Sequence, residues 1–374
     1  MKQIGSPDVD HSYRQFEDGV LQELAEDVAQ ISPPRVAKES RSEHSLLTSY
    51  WQKAIRRGNE EAAVACALSL HATNPDYVWR RLRSIAMEEV SAANVPLVAK
   101  VLAVSGKRGL QKKLGETAVL ALLVAQLAKT QKCRTACDML MWLPSTIIDS
   151  LEGELPANLS QVLPADIRQI YRSAGLWKSV AAHSVRTRVG WRSLSKGDKV
   201  RRDEWLDAAS LPPIVRFVVI RGSGTDTLNH LLVPAYQLAH RTASHTQVRS
   251  GHPISEELIG GVPAYAYCLF SGPGRLALRA FLSQQRRWAE ALADMSVTDP
   301  LRAMGHLIFQ VEGGLCTETL QFLQADEIRQ ESETATLGRF GVPASAVNDL
   351  KTWVEECLPA INAARRYCVD KHGR

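Results

Sequence analysis

The 374-residue sequence lacks the short patterns that carry the commonest chemistries. No G-x-x-x-x-G-K-[ST] phosphate loop occurs, and the stretch from Gly109 to Gly115 has the wrong spacing and no Lys-Ser/Thr after its second glycine. Nothing there cradles phosphates and holds magnesium, so ATP hydrolysis by this chain alone is not expected. The ten histidines form no H-E-x-x-H or H-x-H. Cys133 and Cys137 lie one helical turn apart, but no second pair at ligand spacing accompanies them, and buried thiols are commonplace. His183-Ser184 and Ser223 stand outside any G-x-S-x-G elbow. Glu88 and Glu89 are adjacent, so on a helix they point about 100° apart and form no paired-carboxylate site. No catalytic constellation results, and neither a cofactor nor an enzymatic role is expected.

Other absences bound the class. The seven cysteines are an odd set without disulfide spacing, and the first residues lack a charged-then-apolar leader, which points to a reducing, cytoplasmic compartment. The longest uncharged apolar run, Ala118 to Ala128, falls short of the ~20 residues that span a bilayer and reads as the centre of a buried helix. Neither sign of charge dominates: 45 Lys and Arg face 40 Asp and Glu. That balance permits an acidic partner such as nucleic acid without demanding one.

What is present reads as helix. Hydrophobic residues at 45% and charged residues at 23% are ordinary globular values, and the length allows two or three domains. Residues 1–42 form an acidic arm and linker. Phe16, Val20, Leu21, Leu24 and Val28 have helical spacing before Pro33-Pro34, and the arm docks on a partner or on its own chain. In residues 43–145, Leu46, Leu47, Tyr50, Trp51, Ala54 and Ile55 mark one helix face ending near Gly58. Asn59, Asn74-Pro75 and Asn94-Val95-Pro96 are three successive helix starts, each offering a side-chain acceptor to an orphan N–H. A long fifth helix is expected from Glu116 to about Trp142. Five helices with short links make an α-bundle. Residues 146–374 continue mostly helical, over 166–173, 227–242, 275–293, 300–311 and 346–369. Ile214 to Ile220 reads as a short strand or a buried helix segment. The tetrapeptide GVPA at Gly261 and Gly341 marks helix starts and makes no repeat array.

Two basic features are candidate DNA contacts. Residues 172–202 hold nine basic side chains against Asp198, among them Arg186, Arg188, Arg192, Lys196, Lys199, Arg201 and Arg202, with Trp177 and Trp191 interleaved. Cations neutralise phosphates while an exposed indole stacks on an unpaired base; against this stands the usual burial of tryptophan. The second feature is a loop set, Lys107, Arg108, Lys112 and Lys113, whose alternative reading is a solvated surface with ion pairs. Arg275, Arg279, Arg286 and Arg287 read as a solvated helix face.

Part of the chain has a family resemblance. Gln52-Lys53-Ala54-Ile55-Arg56-Arg57-Gly58-Asn59 is followed by Tyr77-Val78-Trp79-Arg80-Arg81-Leu82 and Ile85-Ala86-Met87-Glu88-Glu89-Val90, then by Leu127 to Ala136 around Lys132-Cys133-Arg134. Together these resemble the helical collar of the RarA/MgsA replication-associated AAA+ ATPases, over about residues 43–143 and without the ATPase. Ser91 stands where the family has glycine, and Cys133-Arg134 where it has Ser-Asn. The resemblance implies a mainly α fold, a clamp-loader-like bundle followed by a second mostly helical region. It also implies a homo-oligomer, in the family a tetramer, and collar-motif roles for Lys53, Arg56, Arg57, Arg80, Arg81, Glu88, Glu89 and Lys132. The expected function is a non-catalytic scaffold in DNA replication, repair or recombination, nucleoid-associated if it binds DNA, with a separate ATPase as a further partner. Two alternatives stand beside it: an interaction adaptor without nucleic-acid binding, and an enzyme with an unfamiliar site in residues 165–374.

Overall fold

The computed structural model describes residues 7–31, 43–143, 177, 206, 211–222, 228–241, 246–251 and 257–372. Fifteen α-helices and two small two-stranded sheets make these residues a mainly α protein. No helix among them is long and apolar enough to cross a membrane.

The first helices begin where capping chemistry places them. After α1 (Pro7–Ala29) and α2 (His44–Arg56), α3 (Glu60–Thr73), α4 (Pro75–Ile85) and α5 (Val95–Val104) each start behind an asparagine. The side chains of Asn59, Asn74 and Asn94 accept from the N–H groups of Ala62, Tyr77 and Leu97 at 3.0, 3.1 and 3.0 Å. Each cap is worth about 1 kcal/mol. Between α2 and α3 the chain turns at Gly58, whose φ of +71° is open to glycine at no steric cost.

Two expectations fail here. Lys107 to Lys113 is no loop: residues Arg108–Leu114 form a short helix, α6. The long fifth helix is two, α7 (Glu116–Lys129) and α8 (Thr135–Trp142). Tertiary contacts hold the break, since the Lys132 N–H donates to the Glu318 carbonyl at 2.9 Å and the Leu320 N–H to the Lys132 carbonyl at 2.8 Å. The Cys133 N–H donates to the Glu89 carbonyl at 2.8 Å. Continuous helix would forfeit all three bonds.

Beyond residue 210, Ile214 to Ile220 is helical, inside α9 (Pro213–Gly222), and α10 is Leu228–Arg241. Strand β1 (Gln247–Ser250) pairs antiparallel with β4 (Glu318–Gln321), and β2 (Leu258–Ile259) with β3 (Val262–Pro263). The single helix expected over 275–293 is divided at Gln285 into α11 (Gly272–Gln284) and α12 (Arg286–Asp294). There follow α13 (Pro300–Ile308), α14 (Ala325–Gly338), for which the sequence pattern supplied no expectation, and α15 (Val347–His372). Each GVPA runs into a 3₁₀ turn, and only the second leads directly into an α-helix.

The main core joins parts of the chain that the sequence sets apart. Leu24 of α1, Trp51 of α2, Leu82 of α4, Val98 of α5, Phe217 of α9, Leu231 of α10 and Ile328 of α14 belong to one buried cluster. The acidic arm thus docks on its own chain. Tyr13 stacks on Phe217 with ring centroids 5.2 Å apart, and Lys100 pairs with Asp27 at 2.8 Å. A second cluster gathers Phe281, Trp288, Met304, Leu307, Leu337 and Val354 from α11 to α15. α14 contributes to both, with Ile328 in the first and Leu337 in the second, and Leu46 of α2 joins a third, smaller cluster with Ile259, Val262, Tyr265 and Tyr267.

Candidate functional site: a buried charge network beside a pocket

Two π-helical turns define the site. One, Ala86–Val90, continues α4 and carries Glu89; the other, Phe309–Gly313, continues α13 and carries Glu312. A π turn widens the helix by one residue and is frequent where a side chain must be re-aimed at a functional site. Both carboxylates are buried, and each receives a two-pronged arginine.

Arg56, at the end of α2, donates through Nε and Nη2 to the two oxygens of Glu89 at 2.8 and 2.6 Å. Its Nη1 donates to the Gly313 carbonyl in the second π turn. Arg134 adds a bond to Glu89 at 2.9 Å. Burial alone raises the Glu89 carboxyl, but Arg134 and Arg56 outweigh it and hold the group well below the usual carboxylate range. The Phe309 ring lies 5.0 Å from the Arg56 guanidinium and 5.4 Å from that of Arg134, a cation–π contact with both. Removing one partner of such a pair costs about 3–5 kcal/mol, because the other charge stays buried.

On the opposite side, Arg365 of α15 donates to both oxygens of Glu312 at 3.0 and 2.7 Å. Arg57 donates to the Glu312 carbonyl at 2.8 Å and lies 3.8 Å over the Tyr265 ring. Consecutive arginines at the end of α2 therefore tie the first π turn to the second. Glu88, the neighbour of Glu89, takes Arg81 at 3.3 Å, and the Gln52 amide donates to both carboxylates. Both glutamate side chains thus reach the Gln52 amide while each keeps its own arginine.

A third cluster lies one turn back on α2. Lys53 is buried, its Nζ 2.6 Å from Ser49 Oγ and 2.9 Å from Cys268 Sγ. Burial pushes the lysine below its ordinary value. The Cys268 thiol, raised by burial, is lowered by more through the Lys53 ammonium and ends below the usual thiol range. Ser49 Oγ donates to the Ala266 carbonyl at 2.8 Å.

The other residues singled out in the sequence have mixed fates. Lys132 is buried, with Nζ donating to the Ala128 carbonyl at 2.8 Å, and burial lowers its pKa to about 8. Arg80 is exposed. Lys107 pairs with Glu17 at 3.2 Å and Arg108 with Asp76, while Lys112 and Lys113 are exposed on α6. Arg275, Arg279, Arg286 and Arg287 are exposed, with Arg286 bound to Glu290 at 2.7 Å and Arg287 4.1 Å over the Trp353 ring. Burial drives the Cys137 thiol up to about 12, and no group of three metal-ligating side chains occurs among the described residues.

Arg186, Arg188, Trp191, Arg192, Lys196, Lys199, Arg201 and Arg202 lie outside the described residues, as do His183, Ser184 and Ser223. Trp177 is no stacking platform. It is buried edge-on against Trp142, with its indole N–H donating to Glu327 at 2.9 Å.

No protein-family model, curated protein or solved structure matches this chain. Ser49, Gln52, Arg134, Cys268, Glu312 and Arg365 belong to the network although the sequence reading passed over their roles. For Ser49 and Gln52 a signal existed: with Lys53 and Arg56 they recur at helical spacing on the face of α2 opposite its apolar stripe. Glu312 and Arg365 have no local signal, because their partners are far away in sequence.

Proposed function

We propose that this chain is a non-catalytic accessory scaffold of DNA replication, repair or recombination. It is built like a RarA/MgsA collar without the ATPase, and it acts as a homo-oligomer. The observation that carries this reading is convergence: Lys53, Arg56, Arg81, Glu88 and Glu89 meet in and around one buried network, with Lys132 alongside. With Arg57 they are the residues on which the resemblance rests, apart from the exposed Arg80, and their convergence supports it. The arginines are spent on carboxylates and carbonyls, so their role here is to fix the bundle.

Contact with DNA then falls to exposed cations, Lys112 and Lys113 of α6 among them, and to the basic stretch 172–202. Oligomerisation multiplies weak phosphate contacts into avidity. The test is light-scattering mass together with anisotropy of labelled single-stranded and forked DNA across a salt series. A multimer whose affinity falls steeply with salt is expected. A monomer that ignores DNA at low salt overturns the reading.

A further inference from the structure

A pocket of about 640 Å³ opens beside the charge network, between α2, the first π turn, α8 and the segment around Phe270. That volume lies within the roughly 300–1,000 Å³ typical of small-molecule sites. It suits a mononucleotide and is too small for a duplex.

The walls carry four cationic side chains. Lys53, Arg56, Arg81 and Arg134 line the pocket, against the single carboxylate Glu88, with Glu89 immediately behind Arg56 and Arg134. Arg56 and Arg134 share Glu89, Arg81 meets Glu88, Lys53 meets the Cys268 thiol, and the Asp138 carboxylate faces Arg134. Of these cations Arg81 is the most exposed, at 30%, so an incoming phosphate meets it first and competes with Glu88 for it.

The same pocket offers flat apolar surfaces. Phe270 lines it and is 57% exposed, among the large apolar side chains left open to solvent. Its ring meets Phe309 and His306 edge-on at 6.2 and 6.1 Å, so its position is supported from behind. An exposed, supported ring beside clustered cations is the combination that holds a planar base next to a phosphate.

We propose that this pocket binds a nucleoside 5′-phosphate, with the phosphate on the Arg81 and Lys53 wall and the base against Phe270. The ligand chemistry is the same whether the nucleotide is free or forms the end of a strand, and the site does not depend on oligomerisation.

Calorimetric titration of the full chain with dTMP, AMP, thymidine and inorganic phosphate tests this, alongside oligothymidylates carrying a 5′-phosphate or a 5′-hydroxyl. Saturable binding of a phosphorylated nucleoside is expected, free or at the strand end, at least about tenfold tighter than thymidine or the 5′-hydroxyl oligomer. Phe270→Ala, an exposed position, is expected to weaken nucleotide binding by about tenfold while leaving phosphate binding unchanged. Arg81→Gln is expected to weaken both. Preference for mononucleotides assigns the site to a free ligand, and preference for the 5′-phosphorylated oligomer to a strand end. The proposal is overturned if no phosphorylated ligand binds saturably at millimolar concentration. It is equally overturned if thymidine binds as tightly as dTMP, or if both variants bind as the wild type does.

Discussion

At the residue scale, Ser91 and His306 are held in unusual states that can be measured. Ser91 follows the first π turn with φ 43° and ψ −118°, a conformation that favours glycine, and its buried hydroxyl has no hydrogen-bond partner among the described residues. Ser91→Gly removes both the backbone strain and the unsatisfied hydroxyl, against a smaller entropic cost in the unfolded chain. A gain of about 1–2 kcal/mol in urea unfolding is expected; a loss would mean that the serine is not strained there.

His306 sits at the pocket wall, stacked on Phe340 with centroids 5.5 Å apart. Burial, with Arg339 and Arg302 nearby, lowers its pKa from 6.5 to about 4. Between those values the unfolded chain binds the proton and the folded chain does not, so this histidine costs stability as pH falls through the window. His306→Phe keeps a stacking ring without the titration. Its unfolding free energy relative to wild type is expected to be constant above pH 6.5 and to climb as pH falls towards 4. A constant difference over the whole range would show that the imidazole is not held neutral. Asp138, raised by burial to about 6, titrates in an overlapping window with the opposite sign in both proteins, and cancels in the comparison.

At the scale of elements, short-range chemistry decided some boundaries and long-range contact decided others. The starts of α3, α4 and α5 were legible because an asparagine cap and its following acids or proline act within four residues. The end of α7 was not. Residues 129–135 read Lys-Thr-Gln-Lys-Cys-Arg-Thr, with neither glycine nor proline, and the break depends on Glu318, Leu320 and Glu89 supplying backbone partners. The π turns were equally hidden, since each exists to point a glutamate at an arginine from another element. For Ile214 to Ile220, periodicity alone left strand and helix open, and packing of α9 against α5 and α10 settled it as helix.

At the scale of the whole molecule, residues 43–143 are tied to the rest of the chain at several points. Arg56 and Arg57 end on carbonyls of residues 313 and 312, Lys132 is stitched to β4, and Leu24, Phe217 and Leu231 share its core. A fragment of residues 43–145 is therefore expected to keep helical far-ultraviolet dichroism but lose near-ultraviolet signal and bind ANS, as loosely packed states do. A fragment with sharp aromatic dichroism and cooperative unfolding would show instead that the collar-like segment carries its own tertiary structure.

By itself the sequence determined the helical class, the capped starts of three helices and the apolar stripe of α2. Each follows from interactions between neighbours along the chain or from a pattern repeated every three to four residues. Only the tertiary structure decided that Lys53 and Arg56 are as buried as Trp51, that the acidic arm packs on α5 and α9, and that a pocket lies between α2 and Phe270. The physical reason is the same in each case. A charged side chain on a helix reads as solvated until a distant segment supplies the carboxylate, carbonyl or ring that lets it be buried, and no local pattern records which segment that will be.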